Sequence, residues 1–233
     1  MGLKADLTAE VQRIFSSRWS TRTGLIVPES EDLGLGNDAV KFEEAVVLYA
    51  DLAESTKLVE DQADFIAAEI YKAYLHCASK IIKHQGGAIT AFDGDRVMAI
   101  FIGNSKCTNA ARTSLMINYA VREIINPAIG SQYPGTEYVL TQSVGIDLSR
   151  QFVTRTGVRG SNDLVWVGTA ANNAAKLCSI REDGYSSYIT PSVYDRLADE
   201  AKYGGDPKQE MWERRRWTSR GTDVFRSSWW WRI

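Results

Sequence analysis

Hydrophobic positions change their spacing from segment to segment along the chain, and each spacing predicts an element. Residues 1–40 begin with apolar positions at helical spacing and continue with the turn-rich run PESEDLGLGND, so we predict a helical arm followed by a loop. Residues 41–233 are predicted to form one domain, which starts with EAVVLYADL, an apolar run typical of a buried strand. The next segment, residues 61–84, predicts a long helix with Ile66 and Cys77 on its apolar face.

A hairpin and a second long helix come next. The segment AITAFDGDRVMAIF predicts two short strands around a tight turn at Asp93-Gly94-Asp95. The helix over residues 106–126 is predicted to end before Pro127, because proline interrupts helical hydrogen bonding. EYVLTQSVGIDLS and QFVTRT predict the next pair of strands, and NDLVWVG predicts a strand that leads into the helix TAANNAAKLCSI.

The remaining segments complete the predicted fold. YSSYIT predicts a short strand, PSVYDRLADE a short helix, and the tail from EMWERRRWTS to TDVFRSSWWWRI a final hairpin. The order β-α-β-β-α-β with further strands after it is the split βαβ, or ferredoxin-like, arrangement. We therefore predict an α+β fold in which helices pack on one face of an antiparallel-rich sheet.

Composition and charge narrow the classes of function. The 233 residues carry a formal net charge of −2, which argues against a dedicated nucleic-acid binder. No run approaches the roughly 20 apolar residues that cross a bilayer, so no membrane association is expected. The three cysteines are scattered and odd in number, which favours reduced thiols and a cytoplasmic location.

Two carboxylates lie where neighbouring predicted strands meet. Asp51 ends the first strand, and Asp95 begins the strand that leaves the hairpin turn. Two carboxylates brought close repel each other unless a cation lies between them, and hard oxygen ligands suit Mg²⁺ or Mn²⁺. Two such ions can activate an attacking hydroxyl and neutralise a leaving diphosphate. The alternative is that Asp51 caps a helix and Asp95 belongs only to its turn.

Four ordered motifs resemble the class III adenylate/guanylate cyclase domain, over about residues 43–200. They are VVLYADLAESTKLVE, GGAITAFDGDRVMAIF, SVGIDLS and VGTAANNAAKL. The resemblance implies two divalent cations, Mn²⁺ or Mg²⁺, held by Asp51, Asp95 and the carbonyl of Leu52. It also implies a nucleoside triphosphate substrate whose phosphates are bound by the segment Ala53, Glu54, Ser55 and Thr56.

The resemblance also assigns roles to the helix TAANNAAKLCSI and an oligomeric state. Asn172 would orient the ribose, and Lys176 stands where the family keeps an arginine that stabilises the reacting phosphorus. Lysine supplies the charge without the planar fork of arginine. Because the metal-binding half and this half of the family's site come from different chains, a homodimer with shared active sites is implied.

Purine cyclases of the family that the chain resembles select the base with polar side chains at two positions, and the chain has apolar residues at both. These positions hold Ala91 and Val165, which cannot pair with the polar edge of a purine. The start Tyr49-Ala50-Asp51-Leu52 is similar to that of the pyrimidine cyclases of bacterial anti-phage Pycsar systems. That similarity implies UTP, or alternatively CTP, as substrate, and a cyclic-nucleotide-responsive effector as the partner of the product. Tyr49 and Trp166 are candidates for the base pocket, the alternative for both being core packing.

Two other functions stay open on the sequence. One is an adenylate or guanylate cyclase with an unusual base pocket. The other is a catalytically dead cyclase-like module that binds nucleotide, although retention of Asp51, Asp95 and Asn172 argues against it.

Overall fold

Strand and helix segments alternate through residues 2–233, the part of the chain that the structure, a computed structural model, describes. The helices are α1 (Leu3–Ser16), α2 (Ser55–Asp61), α3 (Asp64–His84), α4 (Lys106–Ala120), α5 (Asn126–Gln132), α6 (Thr169–Leu177), α7 (Pro191–Tyr194) and α8 (Asp199–Lys202). The strands are β1 (Ser20–Thr23), β2 (Asp38–Leu52), β3 (Ala88–Asp93), β4 (Arg96–Phe101), β5 (Gln142–Val158), β6 (Ser161–Val167), β7 (Ser187–Ile189), β8 (Tyr203–Gly204), β9 (Gln209–Glu210), β10 (Glu213–Trp217) and β11 (Thr222–Ser227).

Nine of these strands form one mixed sheet with β2 near its centre. The main order is β10-β11-β7-β5-β2-β4-β3, while β1 pairs with β2 in parallel and β6 pairs with β5. β2 is antiparallel to both β4 and β5, and β8 and β9 form a separate ribbon. The predicted α+β fold with an antiparallel-rich sheet is confirmed.

Helices cover both faces of this sheet, so the prediction of helices on one face is wrong. Val46, Leu48 and Ala50 of β2 pack in one core with α3 and α4. Ala45 and Val47 point to the opposite face, because successive residues of a strand alternate, and they pack in a second core with α6. Burial on both sides explains why the middle of β2 is a continuous apolar run.

α6 lies directly on the backbone of β5. Its buried residues Ala170, Ala174 and Leu177 form one helical face, and the two alanines keep that face thin. Beneath it lies Gly145, where an added Cβ would be 2.2 Å from the carbonyl oxygen of Ala174 and 2.4 Å from the backbone nitrogen of Cys178. Only glycine lets the strand and the helix approach this closely.

The long predicted helix and the hairpin after it are confirmed as α3 and the pair β3–β4. The buried face of α3 is centred on Ile70 and Tyr74, so Ile66 and Cys77 lie at its half-buried border. None of the helices within residues 2–233 combines the length and the apolar character that crossing a lipid bilayer requires.

Two segments differ from the prediction because their pairing partners are distant in sequence. The predicted N-terminal helix is confirmed as α1. The strand β1 was not predicted; it lies between α1 and the turn-rich run, and its Ser20 pairs with Asp38 at the start of β2. The two strands predicted from EYVLTQSVGIDLS and QFVTRT are one strand, β5. β2 supplies a partner from Gln142 to Thr154, and β6 pairs with the rest of β5. A register shift between Phe42 and Ala45 absorbs the polar interruption.

The second long helix does not end before Pro127, contrary to the prediction. A π-helical turn, Val121–Ile125, follows α4 and leads into α5, which contains Pro127 in its first turn. Proline is tolerated there because the wider turn changes the hydrogen-bond spacing and the first turn of a helix needs no amide donor.

We expect Gly145→Ala to lower the free energy of unfolding by about 3 kcal/mol, since the new methyl group overlaps backbone atoms that cannot move independently. Urea denaturation measures this. Gly130→Ala in α5 is the control, because an added Cβ there meets no atom within 4 Å, and it should stabilise by about 0.5–1 kcal/mol. An unchanged stability of Gly145→Ala would contradict the described packing.

Candidate active site

The two predicted metal-binding carboxylates lie at the same end of the sheet. Asp51 is the penultimate residue of β2 and pairs across the ladder with Arg96, the residue that follows Asp95. Asp95 itself lies in the turn before β4. Burial raises the pKa of Tyr74 on α3 well above its ordinary value, and the negative charges of Asp51 and Asp95 both add to this. The tyrosine hydroxyl therefore lies within the electrostatic reach of both carboxylates.

Two arginines compensate the charge of Asp51. The residue is 6% exposed, and its Oδ2 accepts hydrogen bonds from Nη2 of Arg96 and Nη2 of Arg181, each at 3.2 Å. The same Nη2 of Arg181 donates to the carbonyl oxygen of Leu52 at 3.3 Å. A buried carboxylate is costly without such partners.

Neither arginine was predicted from the sequence. Arg96 could have been found, because the tight hairpin places the residue after Asp95 opposite Asp51. Arg181 is 130 residues away from Asp51 in the chain, and no spacing signals it.

The donor set suits a hard divalent cation. Asp95 Oδ2 is buried and has no hydrogen-bond partner among residues 2–233, which leaves an oxygen for a ligand. Asp51 and the Leu52 carbonyl add further oxygens. The same described residues contain no group of three or more His, Cys, Asp and Glu side chains arranged for a metal. A cation that keeps several waters and takes phosphate oxygens matches so small a set of protein ligands.

The predicted phosphate-binding segment begins directly after Leu52. Ala53 is buried, and its N–H donates to the carbonyl oxygen of Thr141 at 2.9 Å, so this amide is already satisfied. Glu54 is exposed and adopts the left-handed conformation, with a φ of 56°. The chain thereby turns sharply from β2 into α2.

The first turn of α2 contains the other two predicted phosphate-binding residues. Ser55 begins the helix and Thr56 follows it on the surface. The first helical hydrogen bond runs from the N–H of Leu58 to the carbonyl oxygen of Glu54 at 3.0 Å. The N–H groups before Leu58 therefore have no acceptor within the helix.

Tyr49 and Ala91 lie in one row across the sheet. Both pair with Met98 of β4, from its two sides, and both are half-buried. Burial raises the pKa of Tyr49, and the nearby Arg96, with its guanidinium carbon 5.9 Å from the ring centroid, opposes that rise. These two predicted base-pocket residues are thus close to Asp51, whose side chain lies on the same face of β2.

Val165 and Trp166 are far from Asp51 within one chain. Val165 pairs with Thr154, which pairs with Ala39 of β2. Ala39 lies twelve residues before Asp51, or roughly 40 Å along an extended strand. Trp166 stacks on Phe42 at a centroid distance of 5.9 Å and belongs to the second core. Core packing is the role that the structure gives this tryptophan.

Asn172 and Lys176 lie one turn apart on the exposed side of α6. Neither side chain forms a hydrogen bond or an ion pair within residues 2–233. That side faces away from Ala170 and Ala174, which rest on the sheet. Neither residue is therefore hydrogen-bonded or ion-paired to Asp51, Leu52 or Asp95 of its own chain.

Asn173, the neighbour of Asn172, belongs to a polar network that the sequence analysis missed. Its Nδ2 donates to Oδ2 of the buried Asp147 at 2.8 Å, and its Oδ1 accepts from Arg220 at 2.7 Å. Thr190 donates to the other oxygen of Asp147 at 2.5 Å. The network fastens α6 to the sheet and fixes which side of the helix is exposed.

Comparisons with known proteins identify the family and the fold of the chain. No protein-family model matches the chain. The uridylate cyclase of Xanthomonas perforans is 47% identical over 235 aligned residues, and that of Burkholderia cepacia is 46% identical over 234, each alignment covering 100% of both chains. Among solved structures, the adenylyl cyclase CyaB from P. aeruginosa superposes with a TM-score of 0.68 at 20% identity, over 81% of this chain and 95% of that one. The chain therefore belongs to the uridylate cyclase family and has the class III nucleotidyl cyclase fold.

Proposed function

We propose that the protein is a uridylate cyclase that closes UTP into 3′,5′-cyclic UMP and releases diphosphate. The observation that carries the proposal is the convergence of Asp51 and Asp95 beside the turn into α2, in a chain nearly half identical to uridylate cyclases. CTP, which would give cyclic CMP, is the alternative substrate of the same reaction.

In the proposed reaction, the ribose 3′-hydroxyl loses its proton to solvent water and its oxygen bonds to the α-phosphorus, while the bond from phosphorus to the leaving diphosphate oxygen breaks. Divalent cations supply charge neutralisation for the triphosphate when they are bound. Asp51, Asp95 and the Leu52 carbonyl would hold these cations. The N–H groups at the start of α2 that have no acceptor within the helix would donate to phosphate oxygens, because amide donors attract anionic oxygens.

The pocket beside Asp51 supports a small base. Ala91 is short and apolar, so it leaves room and offers no hydrogen bond to a purine edge. Tyr49, across Met98 in the same row, supplies an aromatic wall on which a pyrimidine ring can stack. Val165 would contribute from a second chain, since it is remote from Asp51 in its own.

A homodimer with two equivalent shared sites explains the orientation of α6. Asn172 and Lys176 face away from their own sheet and lack partners within residues 2–233. In a twofold dimer this face would meet the Asp51 site of the other subunit, so that Asn172 orients the ribose and Lys176 places a positive charge near the reacting phosphorus.

The biological role that we propose is signalling in anti-phage defence. It rests on the resemblance of the Tyr49–Leu52 motif to the Pycsar cyclases. Cyclic UMP would diffuse in the cytoplasm and activate a cyclic-nucleotide-responsive effector. The three cysteines, all free thiols, suit such a reducing compartment.

Incubation of the purified protein with Mn²⁺ and each triphosphate separately should yield cyclic UMP from UTP, identified by mass spectrometry. Asp51→Asn and Asp95→Asn should each reduce turnover to background, because each removes an anionic metal ligand. Asp195→Asn, which changes an exposed carboxylate on another surface, is the control and should retain activity. Product from ATP or GTP alone would contradict the pyrimidine assignment, and nucleotide binding without any product would favour the dead module.

Mixing two inactive variants tests the shared sites. Asp51→Asn and Asn172→Ala should each be inactive alone, yet a 1:1 mixture allowed to exchange subunits should recover about a quarter of wild-type activity, since half the dimers then hold one intact site of two. Activity and subunit exchange are measured on the same sample. Complete exchange without any recovery would rule out the proposed dimer.

A further inference from the structure

Arg181 contacts both of the β2 atoms that we assign as cation ligands. Its Nη2 lies 3.2 Å from Asp51 Oδ2 and 3.3 Å from the Leu52 carbonyl oxygen. A single donor nitrogen therefore bridges a side-chain oxygen and a backbone oxygen. Arg96 reaches only the carboxylate, so the two arginines are not equivalent.

A guanidinium and a divalent cation cannot both occupy that position. The two positive charges repel each other, and both are attracted to the space between Asp51 Oδ2 and the Leu52 carbonyl oxygen. In the metal-free protein, however, Asp51 would be a buried charge with less compensation if Arg181 were elsewhere. The side chain of Arg181 thus supplies the charge that the cation supplies in the loaded site.

The Arg181 side chain has open space beside it into which it can move when a cation binds. Its side chain is 36% exposed, whereas that of Asp51 is 9% exposed. It borders a cavity of about 340 Å³ that Ala53 and Glu54 of the proposed phosphate-binding segment also line. Its Nη1 donates to the carbonyl oxygens of Cys178 and Ile180 in its own loop, contacts that do not involve the cation ligands.

We propose that Arg181 is the resident cation of the metal-free site and transfers to the polyphosphate when the metal-bound nucleotide enters. This inference rests on the proposed function, since it takes Asp51 and Leu52 as the metal ligands. The planar guanidinium can donate two parallel hydrogen bonds to phosphate oxygens, so the side chain exchanges one anionic partner for another. Arg181 is then a substrate-binding residue that also lowers the affinity of the site for metal alone.

Mn²⁺ binding to the nucleotide-free protein tests the competition directly. Free Mn²⁺ is measured by electron paramagnetic resonance during a titration of wild type and Arg181→Gln. Arg181→Gln should bind Mn²⁺ roughly tenfold more tightly, because the competing conformation is removed. Its affinity for a non-hydrolysable UTP analogue with Mn²⁺ should fall roughly tenfold, because the phosphate contact is lost. Arg150→Gln, which removes an exposed charge elsewhere, should alter neither.

The affinity for Mn²⁺ should rise while the affinity for the UTP analogue falls, and these opposite changes distinguish the proposed role from a purely structural one. Weaker or unchanged Mn²⁺ binding by Arg181→Gln would overturn the proposal. Circular dichroism checks folding, and Arg181→Lys, which keeps a charge without the fork, should lie between wild type and Arg181→Gln. If Arg181→Gln does not fold, Arg181→Lys alone must bind Mn²⁺ more tightly than wild type, or the proposal fails. The titration needs no turnover, so absence of cyclic UMP formation would refute the proposed function without deciding this point.

Discussion

A buried carboxylate at the end of the central strand constrains much of this structure. Asp51 is held at 6% exposure by its place in β2, which is paired on both sides and covered on both faces. A charge in that position needs compensation, and the fold brings it from two directions: Arg96 from the neighbouring hairpin and Arg181 from the loop after α6. The segments that form the site therefore also stabilise it without ligand, which keeps the carboxylate in place before substrate arrives.

The sheet separates residues that the proposed function assigns to one site. The row Tyr49–Met98–Ala91 and both carboxylates lie at one end of β2, whereas Val165 lies level with its other end. α6 is fixed on the sheet by Gly145 beneath it and by the Asn173–Asp147 network, so its exposed face has one orientation. A twofold partner is the simplest way to join elements that a rigid sheet keeps apart.

Local patterns predicted the elements whose signals are local. The apolar run of β2, the Asp-Gly hairpin turn and the periodicity of α3 and α6 each carried enough information within a short window. β1 and the full length of β5 were not predicted, because their formation depends on pairing with β2. The helix end predicted at Pro127 was wrong, because a π-helical turn precedes the proline and accommodates it. At the site, strand order alone placed Asp51 near Asp95. Asn172 and Lys176 came only from a family resemblance, and Arg181 depends on a contact across 130 residues that no spacing encodes.

The close contact between α6 and β5 has a consequence for communication within a dimer. The helix has only nine residues and touches the strand backbone at Gly145, so it has little freedom to tilt while the strand stays still. β5 is hydrogen-bonded to β2 beside Asp51. If the outer face of α6 completes the neighbouring subunit's site, substrate bound in that site contacts α6. The helix packs on β5, which is paired with β2 beside Asp51 of its own subunit. The affinity of each site for substrate would then depend on whether the other site of the dimer is occupied.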